Sequence, residues 1–393
     1  MSLNPSVPNT LEYPCPDKPK LRALQGGKSA SDLQTKPASG LKKGEPRHTR
    51  SDVSMQIIRP IQHADFAALQ QIAEESGHGF TSLPQCDEQL RGKIARTVQS
   101  LSKNVQQPKD ESYLFVLEDS DTGEILGTTG IEAVVGLSSP LYHYRLSKSL
   151  HQSRKLGVRK TVSTLNFCND YHGASEICTL FLREGYRKGY AGRLLSKIRF
   201  LFMAQHPQRF AQTIIAEMRG VSDEQGNSPF WSWLQAHFFD IDFATAVHLV
   251  GVGEKSFIDE LMPKYPVYVD LLSAAAQAVI GKPHDNTVPA LRLLQGEGFQ
   301  HKGYVDPFDA GPTVEAQLSD IHSARNSRCC DFMINEVSTE QGMMICNTQA
   351  ETFRACYSLN ASYDPQTKLL SISAEMAEKL LLNTGDKVRF VEA

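Results

Sequence analysis

The stretch SEICTLFLREGYRKGYAGRLLSKIRFLFMAQ at 175–205 holds the densest chemistry-bearing pattern in the chain. Ile177 to Leu182 reads as a mostly apolar strand, Gly185 to Gly192 as a basic, glycine-bearing turn, and Leu194 to Ala204 as a helix. A strand feeding such a turn into a helix N-terminus makes an anion site, because unpaired backbone N–H groups and the helix dipole face one point. Arg187, Lys188 and Arg193 add positive charge there. A plain strand–turn–helix connection has the same spacing, so this pattern leaves a phosphate site and a structural turn both open. The eight cysteines form no CxxC pair, and Cys329–Cys330 lack a matching His or Cys set at metal-ligand spacing. They read as reduced thiols of a cytoplasmic protein, several of them buried, with no metal site.

The elements that must hold this turn begin at Met55. Ile57, Ile58 and Pro60 read as a short strand, and Asp65 caps a helix bearing Phe66, Leu69, Ile72 and Ala73 on one face. A second helix runs through Leu90, Ile94 and Val98. Two apolar runs within 112–136, separated by Asp-Thr-Gly at 121–123, predict a β-hairpin. Leu291, Leu293 and Leu294 make a short helix that ends at Gly296–Gly298, and Phe299 and Tyr304 begin a strand beyond it.

Over its 393 residues the chain has 41 Lys+Arg, 44 Asp+Glu and 40% hydrophobic residues. That balance argues against broad binding to nucleic acid or to an anionic membrane. No uncharged apolar run reaches the roughly 18 residues of a membrane span, and the start lacks the basic-then-apolar order of a secretory signal. The averages conceal two unlike parts. Residues 1–54 hold nine Lys/Arg, five Asp/Glu and seven of the 20 prolines, with no Ile, Phe or Trp. So little apolar surface cannot offset ordering entropy, and this segment reads as a disordered, basic, proline-rich extension.

Strand–basic turn–helix followed by helix–Gly-Phe–strand resembles the order of the GNAT acyl-CoA N-acyltransferases. Within that superfamily the chain resembles the arginine N-succinyltransferase family. The resemblance is carried by IRP at 58–60, GFTSLP at 79–84, FVLED at 115–119 and CNDYHGASEICTLFL at 168–182. It continues in AEMRGVSDEQGNSPFW at 216–231, ELMPKYPVY at 260–268 and EGFQHKGYVDPFDAGPTVEA at 297–316. It runs from about Met55 to the end and is strongest to about residue 316. The fold class it implies is α/β (α+β). A GNAT-like domain with a largely antiparallel sheet spans 55–315, with a helical insertion at about 206–285 and a small β-rich region at 316–393.

The family implies transfer of succinyl from succinyl-CoA to the α-amine of L-arginine, giving N2-succinylarginine and CoA, the first step of an arginine degradation route in bacteria. Succinyl-CoA enters as the acyl-donor substrate, and no metal or prosthetic group is implied. Residue by residue, the resemblance puts the acyl end of the donor at Thr179 and Leu180. It puts the cofactor phosphates at Arg187, Lys188, Gly189, Ala191 and Gly192, and the proton donor for the leaving thiolate at His284. Two departures stand out. The family's middle glycine in the R-x-x-G-x-G/A turn falls on Tyr190, with Gly189 one place early, and Pro283 precedes His284 where the family usually has proline after it.

A guanidinium calls for carboxylates in fork geometry, and the family blocks offer Asp170, Glu217, Asp223, Glu224, Asp306 and Asp309. Arg219 and Arg145 are the candidates for the succinyl carboxylate, and His172 is a further polar liner. Two other functions stay open: a succinyltransferase for ornithine or another basic amino acid, and a non-catalytic CoA-binding subunit. Partners are expected to be the two small substrates, with assembly as a homo-oligomer or with a paralogous subunit.

Overall fold

The computed structural model describes residues 54–77, 81–223, 226–251 and 253–393. The proposed extension therefore lies, but for Ser54, outside the described residues, as does Glu224. The first half of the described chain runs β1 (Gln56–Pro60), α1 (Phe66–Glu75), α2 (Asp87–Ser102), β2 (Ser112–Asp119), β3 (Ile125–Glu132), β4 (His143–Ser153), β5 (Val158–Cys168), β6 (Ser175–Leu182), α3 (Ala191–Gln205) and β7 (Thr213–Glu217). Four helices follow, α4 (Pro229–Phe238), α5 (Phe243–Gly251), α6 (Ser256–Leu261) and α7 (Ala274–Val279), with the two-residue strand β8 (Val267–Tyr268) among them. Then come α8 (Val288–Gly296), β9 (Gln300–Val305), β10 (Pro312–Gln317), α9 (His322–Asn326), β11 (Arg328–Ile334), β12 (Met343–Asn347), β13 (Ala355–Ser358), β14 (Ala361–Asp364), β15 (Leu369–Ile372), α10 (Ala374–Lys379) and β16 (Lys387–Glu392).

All strands join one mixed sheet in the order β14-β15-β11-β16-β12-β13-β1-β2-β3-β6-β7-β10-β9-β4-β5-β8. Its pairings are antiparallel except β6–β7 and β11–β15. Alternation along β2 explains the two layers over its centre. Tyr113, Phe115 and Leu117 pack with Leu194, Ile198, Leu201 and Phe202 of α3 on one face. Leu114 and Val116 pack with Leu69, Ile72, Leu90 and Ile94 of α1 and α2 on the other. The hairpin expected at 112–136 is β2–β3, paired from Ser112↔Glu132 to Glu118↔Ile125.

Within 206–285 the chain first supplies β7, a central strand, and only then the helices. Those helices bury Phe230, Trp231, Leu234 and Ala276 against Tyr144 and Leu165 of the β4–β5 ribbon and Val305 of β9. Trp231 is a core residue, and its indole N–H donates to the carbonyl of Ile241 at 2.8 Å. Strands β11–β16 extend the same sheet through β13, which pairs with β1 at Ile57↔Cys356 and Ile58↔Ala355. The buried cysteines Cys330, Cys346 and Cys356 lie in this part. Among the described residues no helix is long and apolar enough to cross a membrane.

Candidate functional site

Strand β6 is ordinary at its start and irregular where chemistry was expected. Its ladder with β3 slips between the pairs Gly130↔Cys178 and Thr128↔Phe181, so one extra residue is accommodated at Thr179–Leu180. Thr179 takes φ 55°, an unfavourable conformation for a β-branched residue that costs about 1–3 kcal/mol and persists only where its surroundings impose it. Those surroundings are specific: Thr128 Oγ1 donates to the Thr179 carbonyl at 3.0 Å, and the opposed Gly130 leaves room for the Thr179 side chain. On its other flank β6 pairs with the parallel β7 only at Ser175↔Ile214 and Glu176↔Ile215. From Ile177 onward the two strands run without ladder pairing, which leaves room for a cleft beside the bulge.

The far wall of that cleft carries His284. Carried on at the same offset, the β6–β7 register puts Leu180 level with about Arg219. The Arg219 carbonyl accepts from the His284 backbone N–H at 2.8 Å, and Gly220 forms an isolated antiparallel bridge with Pro283. Pro283 thus completes a bridge that sets the path into His284. His284 N-caps the turn at Asp285–Thr287, its Nδ1 accepting from the Asn286 N–H at 3.1 Å. Burial and the Arg219 guanidinium push the His284 ring below its ordinary pKa, against an opposing pull from Asp285. A neutral ring whose Nδ1 already accepts carries its proton on Nε2.

The end of β7 is clamped from behind. Asp309 accepts from Gly220 N–H at 2.7 Å and Gly311 N–H at 2.8 Å. Asp306 accepts from the N–H groups of Phe308 at 2.7 Å and Asp309 at 3.0 Å. Burial drives Asp306 well above the usual carboxylate range, and Asp309 beside it adds to the shift. Both oxygens of Asp309 are used in building the loop, while both bonds to Asp306 fall on its Oδ1.

The basic turn resolves the glycine departure. Gly189 takes φ 77° in open space, so the left-handed step falls one residue early, and Tyr190 sits at φ −99°, ψ −10° as the N-cap of α3. A right-handed Tyr190 needs no glycine. The first turn of α3, Ala191, Gly192 and Arg193, contains no acidic residue. Arg187 and Lys188 are exposed, and Arg187 Nε donates back to the Leu182 carbonyl at 2.9 Å. The Tyr190 ring stacks on Tyr357 of β13 at 3.8 Å and 16°.

Residues 56–323 match the family described as arginine N-succinyltransferase beta subunit, and residues 334–392 match that family's C-terminal domain. The chain belongs to the arginine N-succinyltransferase family. Arginine N-succinyltransferases of Salmonella schwarzengrund and Salmonella agona are each 44% identical to it over 340 residues, covering 86% of this chain and 97% of theirs. The solved arginine/ornithine succinyltransferase subunit AI from Pseudomonas aeruginosa is 37% identical with a TM-score of 0.79, covering 86% of this chain and 99% of that one. The fold is therefore the GNAT-like acyltransferase architecture with a β-rich C-terminal part, and the chain is a transferase.

The remaining candidates of this family member separate into groups. Arg219 lines the His284 wall, half-buried, its Nη2 donating to Ser222 Oγ at 2.9 Å. Asp170 accepts from the Tyr304 hydroxyl at 2.8 Å and lies 3.7 Å from Arg145, whose guanidinium sits 5.4 Å over the Tyr304 ring. Asp223 binds the backbone and side-chain N–H groups of Asn227 within its own loop. The exposed His172 ring meets the Gly136 carbonyl through Nδ1 at 3.0 Å. Glu217 lies 2.9 Å from Nε2 of His143, a histidine at 0% exposure that pattern reading passed over.

Glu176, in the apolar run SEICTLFL, was also passed over. A carboxylate inside an otherwise apolar strand was the available signal. Burial, then Glu217 and Glu132, push its pKa up to about 8. The proton it holds stabilises the fold fully below the unfolded value near 4.5, and that contribution is lost as pH rises through about 8. Glu176→Gln is therefore expected to raise Tm over wild type at pH 8.5 but not at pH 4. Partial solvent access limits the gain to about 1–3 kcal/mol. Parallel thermal melts at the two pH values check it, and equal melting curves at pH 8.5 would exclude the buried-charge account.

Proposed function

We propose that this chain transfers succinyl from succinyl-CoA to the α-amine of L-arginine, giving N2-succinylarginine and CoA. The observation that carries the reading is the bulged, strained backbone at Thr179–Leu180, on the strand beside β7, beyond whose end the Arg219 carbonyl anchors His284. Backbone N–H groups at the bulge receive the oxyanion as the amine attacks the thioester carbonyl. The C–N bond forms and the C–S bond breaks. The ammonium gives up a proton to water, and the leaving thiolate takes the Nε2 proton of His284, which water restores. Arg219, one backbone hydrogen bond from His284, receives the succinyl carboxylate.

The donor's phosphates lie over Arg187, Lys188, Gly189, Ala191 and Gly192, on the free N–H groups of α3. Tyr357 braces this turn from the C-terminal strands. Tyr357→Ala is expected to raise KM for succinyl-CoA about fivefold with kcat nearly unchanged, in initial-rate measurements over donor concentration. An unchanged KM would mean that the stacked pair does not hold the turn. Asp170 and Asp223 are further contacts for the amino acid, and Arg145 an alternative to Arg219. The protein works in the cytoplasm, as a homo-oligomer or beside a paralogous subunit.

A second reading, with ornithine as acceptor, is suggested by the Pseudomonas relative, an arginine/ornithine succinyltransferase subunit. Release of free thiol from succinyl-CoA by the purified chain, with arginine, ornithine and neutral amino acids compared, tests both. No release with any amine would overturn the enzymatic reading and favour a CoA-binding subunit.

A further inference from the structure

A row of carboxylates crosses one face of the sheet just below the cleft. Glu132 stands opposite Glu176 in the β3–β6 ladder, Glu176 opposite Ile215 in β6–β7, and Glu217, two residues on, opposite Thr313 in β7–β10. Cross-strand partners share a face, and so do residues two apart on one strand. Glu132 is spent: Lys93 lies 3.5 Å away, Arg96 pairs with it, and the Ser112 hydroxyl donates to it at 3.1 Å. Glu176 has no such partner. Among the described residues no side chain forms a hydrogen bond or ion pair with its carboxylate, and Lys255 and Lys93 act on it only at longer range.

Two buried polar groups with unsatisfied atoms border this row. His143 is fully buried, its Nε2 is 2.9 Å from Glu217 Oε1, and neither ring nitrogen makes an aligned hydrogen bond. The hydroxyl of Thr313, directly across from Glu217, is likewise buried and unpartnered. Buried polar groups are nearly always satisfied, so the unpartnered Thr313 hydroxyl and His143 Nδ1 beside Glu176 and Glu217, neither of which pairs with Lys or Arg among the described residues, point to a polar, cationic occupant.

We propose that Glu176 and Glu217 receive the distal cation of the amino-acid acceptor, with His143 as a positioning residue that fixes the Glu217 carboxylate. The proposal rests on the acyl-transfer reading above and adds the residues that select the acceptor. Spacing supports it. Glu217 lies two residues before Arg219 along β7, about 6–7 Å at strand rise. An extended arginine side chain built from bonds of about 1.5 Å covers a similar distance from the α-carbon to the guanidinium. An α-amine at the Leu180 level thus leaves its guanidinium over Glu217, and Glu176, level with Ile215 one strand away, approaches it from below with its own side chain. A guanidinium has five N–H donors in a planar fork and no acceptor, and two convergent carboxylates match it. The single ammonium of ornithine, on a shorter stem, reaches one of them at a time.

Proton linkage provides a second readout. The groups facing Glu176 are Glu217, Glu132, Cys178, Lys93 and Lys255. Its carboxyl holds a proton near neutrality when the seat is empty, and an arriving guanidinium displaces it.

The test compares wild type with Glu176→Gln and Glu217→Gln, using arginine and its neutral isostere citrulline as acceptors. Both variants are expected to raise KM for arginine at least tenfold and leave KM for citrulline within about twofold. Calorimetry of arginine binding in two buffers of unlike ionisation enthalpy should show proton release in wild type at pH 7 and none in Glu176→Gln. Wild-type KM for arginine in either variant would overturn the assignment of that residue and with it the shared seat. Should wild type bind arginine without turnover, and the variants lose binding, the seat stands and the acyl-transfer reading falls. Wild type that binds no arginine overturns the seat itself.

Discussion

Replacing His284 with alanine is expected to lower kcat at least tenfold, and toward 10²-fold if proton relay limits turnover, while affinity for CoA stays near wild type. The separation follows from where the residue sits. His284 hangs from β7 through the Arg219 carbonyl, whereas the proposed phosphate contacts lie at the other side of the cleft, on the turn before α3. Deleting the imidazole removes one weak cap, the Nδ1 acceptor for Asn286 N–H, and leaves the Pro283–Gly220 bridge intact. Its pH dependence should also differ from that of a relay with an ordinary histidine. Burial and Arg219 lower the ring's pKa, so the inflection in the wild-type profile that reports its protonation should lie at more acid pH. The check is a kcat profile over pH with donor and acceptor saturating, alongside isothermal titration of CoA into both proteins. Wild-type turnover in His284→Ala would sink the proton-relay assignment. Loss of CoA binding would instead move His284 into the donor site.

Local pattern made the scaffold readable and left the site's second wall dark. The 175–205 segment could be parsed because alternation, a glycine-bearing turn and helical periodicity are all short-range signals. The structure returns them as β6, Gly189–Tyr190 and α3. His284 is different. In a polar loop nothing marks it, and the resemblance alone singled it out. Its position depends on a bridge to Gly220, more than sixty residues earlier, and pairing at that separation leaves no trace in local spacing. The same holds for His143 and Glu217, which meet through strands β4 and β7, separated in the sheet by β9 and β10. Asp306 and Asp309 show the opposite case. Carboxylates in a family block invite a substrate role, yet both Asp309 oxygens and the Oδ1 of Asp306 already accept from backbone N–H groups of the turn that carries them and of Gly220. Only hydrogen-bond bookkeeping in three dimensions separates a carboxylate that builds a site from one that waits for a ligand.

Gly311→Ala is expected to cost more than 3 kcal/mol of stability, a fall in Tm of at least about 4 °C in a domain of this size, and to lower turnover at least tenfold in the fraction that remains folded. Gly311 lies where two backbones touch. A methyl there would overlap the Met218 carbonyl oxygen and sit 2.6 Å from the Gly220 nitrogen and 2.9 Å from Asp309 Oδ1. None of these is the free end of a flexible side chain. Relief requires the end of β7 to move off the 306–312 loop, breaking the Asp309 bond to Gly220 N–H and weakening that from Met218 N–H to the Pro312 carbonyl at 3.1 Å. Arg219 lies between Met218 and Gly220, and its carbonyl is the anchor for His284. A defect behind the wall therefore reaches the proton relay without touching either substrate. Gly92→Ala supplies the contrast: Gly92 lies within α2 with nothing near its missing Cβ, so alanine should stabilise the helix by about 0.5–1 kcal/mol and leave turnover alone. Thermal melts and initial rates on the two variants side by side decide the matter. A Gly311→Ala protein that melts and turns over like wild type would show that the clamp on β7 does not position His284.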